Sequence, residues 1–173
     1  MNPESTPHLK RLPSEPSLVG EPASSRGEAL SVPEGPVEWQ HLWFALVRRS
    51  WTALAIVPSR PGLGALATAR RLVDVGQAYG PSRVHLVDAS SVDSAGARLA
   101  IAEIERHSRE GSQCLIAVAS PIVKPAAIAI ARAAGAALLL VPLGDAEIGV
   151  SRETIACIGP ELFLGAIATH PRR

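Results

Sequence analysis

Seventeen Lys and Arg against 16 Asp and Glu leave this 173-residue chain with a net charge of +1, too weak a field to support a nucleic-acid role. Hydrophobic residues make up 47% and aromatics 3%, a balance that favours parallel strands packed under helices over an antiparallel sandwich. No apolar run reaches the length of a membrane span, since Ala133–Val141 is short and hemmed in by Gly135 and Pro142. The polar, proline-broken start lacks the apolar stretch of a signal peptide, so the expectation is a soluble, cytoplasmic protein without direct membrane insertion.

Residues 1–33 carry Pro3, Pro7, Pro13, Pro16, Pro22 and Pro33 among Ser, Glu and Gly. Such sequence buries too little apolar surface to offset its ordering entropy, and it reads as a disordered tail preceding a domain over 34–173. From Val37 the pattern changes. Trp39, Leu42, Trp43, Leu46 and Val47 recur at helical spacing and predict an amphipathic helix ending near Arg48–Arg49, docked on its own domain. Beyond it the chain alternates. Short apolar runs at Thr52–Val57, Val84–Val87, Cys114–Ala119, Ala137–Val141 and Leu162–Ala168 predict strands covered on both faces. Helical stretches lie between them at about Gly64–Tyr79, Ser94–Arg109, Pro125–Ala134 and Ala146–Ile158, punctuated by Gly80-Pro81, Gly111 and Gly159-Pro160. The fold class predicted is α/β: a doubly wound, mostly parallel five-stranded sheet with right-handed crossovers. In such a sheet ligands bind at the carboxyl ends of the strands, which places the loops starting at Pro58, Ala89 and Ala119 on one rim.

The loop Pro58-Ser59-Arg60-Pro61-Gly62-Leu63-Gly64-Ala65-Leu66, between an apolar run and a helical pattern, has the outline of a phosphate-binding loop. In a working loop of this kind glycines let backbone N–H groups curl around phosphate, a Lys reaches the terminal phosphates and a Ser or Thr hydroxyl holds Mg²⁺. Ala65 stands at the Lys position and Leu66 at the hydroxyl position. Two readings stay open: Gly62 and Gly64 still present backbone donors to a phosphate with Arg60 as its cation, or the segment is only a turn. Asp88, closing the second strand, either serves an ion or caps the following turn. His85 reads as a core histidine, while His41 and His107 sit on helical faces with no clustered ligands around them, so no metal site is expected. Cys114 and Cys157 lack ligand spacing and read as buried free thiols.

Taken together, the segments Glu38–Leu42, Ser59–Gly64, Val84–Ala89, Ala126–Val141 and Ile158–Ala166 resemble, in order and spacing, the ATPase domain of the bacterial tyrosine kinases of capsule and exopolysaccharide biosynthesis, relatives of the ParA and MinD ATPases. The resemblance covers roughly Val37 to Ala168. It implies a P-loop NTPase-like fold, with Ser59–Gly64 as Walker A and Val84–Ala89 as the second Walker motif ending in Asp88. Several functional positions differ from that family. Besides Ala65 and Leu66, the Walker B strand Cys114–Ala119 carries no Asp before Pro121, Ser90 replaces a second acid, and His41 and Phe44 replace arginines of the subunit-contact motif. The only tyrosine in this sequence is Tyr79, where that family carries a tyrosine-rich autophosphorylated segment.

The resemblance therefore implies a pseudokinase or pseudo-ATPase with no catalytic residue and no metal ligands. It marks Arg60, Pro61, Gly62, Gly64 and Asp88 as candidate cofactor-binding residues, for a weakly held ATP or ADP or for no cofactor at all. The expected role is a regulatory or binding subunit in exopolysaccharide biosynthesis or export. Its protein partner would be a membrane-bound chain-length regulator or an active paralogue, with no nucleic acid. The alternative is a residual nucleotide sensor or ATPase of the ParA/MinD type.

Overall fold

The computed structural model describes residues 29–30, 36–144 and 148–169. Strands β1 (Ala29–Leu30), β2 (Ala53–Pro58), β3 (Val84–Ala89), β4 (Gln113–Val118), β5 (Ala137–Pro142) and β6 (Phe163–Thr169) form one sheet in the order β1-β6-β5-β2-β4-β3. Every pairing is parallel. Helices α1 (Pro36–Val47), α2 (Leu66–Tyr79), α3 (Ala97–Arg109), α4 (Ala126–Ala134) and α5 (Ile148–Ile158) complete the α/β fold, with a 3-10 turn at Pro160–Leu162. The five expected strands are β2 to β6, each within two residues of its predicted limits.

The sheet carries one short strand besides the five expected. Ala29–Leu30, inside the segment read as a tail, add a sixth strand that pairs with Ala166 and Ile167 of β6. Two residues are too short for any periodicity to show, and β6 supplies the pairing from 137 residues away in sequence, counted from Ala29 to Ala166. The rest of the expected tail, 1–28 and 31–33, lies outside the described residues.

The pleat of β2 divides the core. Ala53, Ala55 and Val57 face one cluster, which includes Val87, Cys114, Ile116 and the inner faces of α3 and α4. Leu54 and Ile56 face the other, with α1, α2, Leu115 and Leu138. The first side is built from small residues, and α4 contributes Ala126, Ala127, Ala131 and Ala134, so helix and sheet approach closely. Bulky side chains fill the second. Leu54 and Ile56 are fully buried, each contributing about 1.5–3 kcal/mol of transfer free energy. Trp43 is completely buried and meets Trp51 edge-on at 5.9 Å between centroids, and the Trp51 indole donates to Leu46 O at 2.9 Å. Trp43 thus anchors α1 to the domain, and Trp39 packs partly against the same cluster, as the docked-helix reading expects.

Candidate functional site

The site is rooted by strand order. Because β5 lies directly beside β2, Ser59 N donates to Leu140 O at 2.9 Å, and the buried Thr154 hydroxyl of α5 donates to Ser59 O at 3.2 Å. The chain then turns through Arg60 and Pro61 to Gly62, whose φ of +79° is a left-handed conformation that favours glycine. At both Gly62 and Gly64 a Cβ would meet nothing within 4 Å, so the loop stands clear of the domain. Ala65 is the N-cap residue of α2 and offers no side-chain hydrogen bond to the helix start, which leaves the capping of the first-turn N–H groups to the backbone or to something outside the chain.

A cleft of about 600 Å³ opens here. One wall is Arg60, Gly62, Leu63, Gly64, Leu66, Ala67 and Thr68, and the other is Leu140, Pro142 and Thr169 at the carboxyl ends of β5 and β6. Arg60, Gly62 and Gly64 therefore come together in one cavity. Pro61 is exposed on the same loop but does not line the cleft. Asp88 lies one residue before the end of β3, which β4 separates from β2. Its Oδ1 accepts from Ser90 N at 3.1 Å and Ser90 Oγ at 2.6 Å, the turn-capping geometry. The second wall was not legible in the sequence, because Leu140, Pro142 and Thr169 carry no local motif and reach the loop only through the strand order.

The other polar residues take defined places. Lys124 donates to Ser91 O at 3.0 Å and Ser90 O at 3.4 Å, tying the loop after β4 to the loop after β3. Ser120 is buried and its Oγ has no hydrogen-bond partner among the described residues. His107, expected on a helical face without partners, is buried and stacked on His85. The two lie 22 residues apart in sequence, so no local pattern announces the pair. Cys114 is buried and its thiol is pushed up to about 11 by desolvation, with Glu103 adding to the effect; Cys157 is only partly buried. Among the described residues no group of three or more His, Cys, Asp or Glu is placed to hold a metal ion, and no helix is long and apolar enough to cross a membrane.

Comparison with known proteins places the architecture. A solved chimerical protein, CapA2B2, superposes with a TM-score of 0.67 at 11% identity, over 81% of this chain and 92% of that one. At that identity the likeness is one of fold. No protein-family model matches the chain, and no curated protein matches it.

Mg·ATP, which a complete P-loop would hold, asks for two side chains at the start of α2. Ala65 is 1% exposed and belongs to the core cluster, and Leu66 packs partly against the same cluster. Neither supplies the ammonium or the hydroxyl that a metal–triphosphate complex needs. The residues present do not fit Mg·ATP.

Proposed function

We propose that this chain is a degenerate P-loop-type protein, inactive as a kinase, that serves as a regulatory or binding subunit in exopolysaccharide biosynthesis or export. Its partner would be a membrane-bound chain-length regulator or an active paralogue. The observation that carries the reading is the first turn of α2: the loop, the open helix start and the cleft are present, while apolar Ala65 and Leu66 fill the positions where phosphoryl transfer requires charge and a metal ligand. The pathway rests on the motif resemblance, and the fold shared with CapA2B2 is consistent with it. Purified protein should show neither ATPase nor tyrosine autokinase activity above a blank. Saturable turnover that vanishes when Gly64 is replaced would sink the proposal.

The cleft itself favours a second reading. At about 600 Å³ it is within the range of small-ligand sites, and Arg60 on its wall is a fork-shaped cation suited to phosphate. Under this reading the protein senses a nucleotide without turning it over. A thermal shift with ATP or ADP that is indifferent to Mg²⁺ supports the sensor; no shift with either supports a purely protein-binding role.

A further inference from the structure

At the opposite end of β3 from Asp88, two imidazoles lie face to face. His85 of β3 and His107 of α3 stack with centroids 3.9 Å apart and planes inclined by 17°. His107 is 6% exposed, whereas His85 borders an open cavity of about 390 Å³ lined also by Gln77, Ser82 and Arg83. An Arg106 Nη2 lies 3.1 Å from His107 Nε2. Since guanidinium only donates, Nε2 is the acceptor and the ring proton sits on Nδ1, a buried atom that makes no hydrogen bond among the described residues and lies 3.4 Å from Glu110 Oε2. Glu110 also receives Arg106 Nη1 at 3.3 Å, and Glu103 stands 3.9 Å from Nε2.

We propose that this His85–His107 stack is an acid-sensitive latch, which holds α3 against the edge strand β3 while His85 is neutral and releases that contact when the His85 ring takes a second proton. A second proton on His85 places a cation against the stacked ring, close to the Arg83 and Arg106 guanidinium groups. The charged and titratable neighbours are His107, Arg106, Glu103 and Glu110 from α3 and its end, Arg83 from the start of β3, and Cys114 from β4, the register partner of His85. From α2 the cavity neighbour is Gln77, which does not titrate.

The electrostatics agree with the geometry. The His85 pKa is lowered from 6.5, by burial first and then by His107, Arg83 and Arg106, against a smaller opposing pull from Glu110. A histidine whose folded pKa is depressed binds its proton more readily when unfolded. Its contribution is therefore fully present above about pH 6.5 and is lost as the pH falls through the folded pKa.

The test compares wild type with His85→Phe, which keeps a stackable ring and cannot titrate. Between about pH 7.5 and about pH 5.5, where histidine changes charge, the wild-type melting midpoint should fall by about 2–4 °C more than that of the variant. His8, His41, His107 and His170 are common to both proteins, so the difference between the two curves reads His85. Equal pH dependence overturns the latch. Should the variant not fold, NMR of the wild type decides: His85 titrating below 6.5, with amide protection lost on acidification along α3 ahead of α4, supports it. A His85 midpoint at or above 6.5, or uniform loss of protection across both helices, rejects it.

Discussion

Glycine at position 76 is set by a neighbour. In the interior of an exposed helix, Gly→Ala ordinarily stabilises by about 1 kcal/mol. A Cβ on Gly76 would lie 2.5 Å from Trp43 Cη2 and 2.9 Å from Val84 Cγ2, and Trp43 is fully buried with nowhere to withdraw. Gly76→Ala should therefore destabilise by about 1–3 kcal/mol, read from the urea midpoint at constant slope; an unchanged or higher midpoint refutes the packing argument. The loop glycines behave differently, since Gly64→Ala meets open space and should leave the midpoint unmoved, whereas Gly62→Ala forces an L-residue to φ +79° at about 1–2 kcal/mol. The thiols give a further check at this scale. Cys114, buried and held protonated far above neutrality, should react with a thiol reagent only on unfolding. Cys157, partly exposed, should react first. Two equally fast thiols in the native protein would contradict the burial described.

At the scale of elements, the start of α2 decides between the functional readings. Ala65→Lys with Leu66→Ser restores the chemistry a P-loop needs, but Ala65 packs into the α1–α2 side of the core, so a lysine stem has to thread outward and the double variant should lose about 1–3 kcal/mol. If the loop retains its phosphate cradle, that variant gains a Mg²⁺-dependent thermal shift with ATP. A folded variant with no shift reduces Gly62 and Gly64 to a connecting turn. The sequence makes this element legible because its signals are local: an apolar run, a Pro-Gly-x-Gly turn, then a 3.6-residue period. What it hides is whatever depends on non-neighbours. The cleft wall from β5 and β6, the pairing of Ala29–Leu30 with β6, and the stacking of His85 on His107 all join residues far apart in sequence. Strand limits moved by one or two residues for a related reason. Pro58, which cannot donate to a ladder, still ends β2 opposite Leu140, and that pairing belongs to the sheet and not to the hexamer that forms it.

Over the whole molecule, the sheet has two edges with different protection. At one edge β3 is flanked by α3 through the histidine stack. At the other, β6 is met by only two residues of β1, at Ala166 and Ile167. An uncovered parallel edge exposes ladder donors and acceptors, a template for pairing with a second chain. A protein beginning at Gly27 keeps β1, whereas one beginning at Ser31 loses it. The shorter chain should be less stable by about 1–2 kcal/mol, the scale of one or two net hydrogen bonds, and should scatter more light at equal concentration as β6 edges associate. Identical urea midpoints for the two chains would show that Ala29–Leu30 decorate the edge without supporting it, and the fold would then rest on the five strands from β2 to β6 alone.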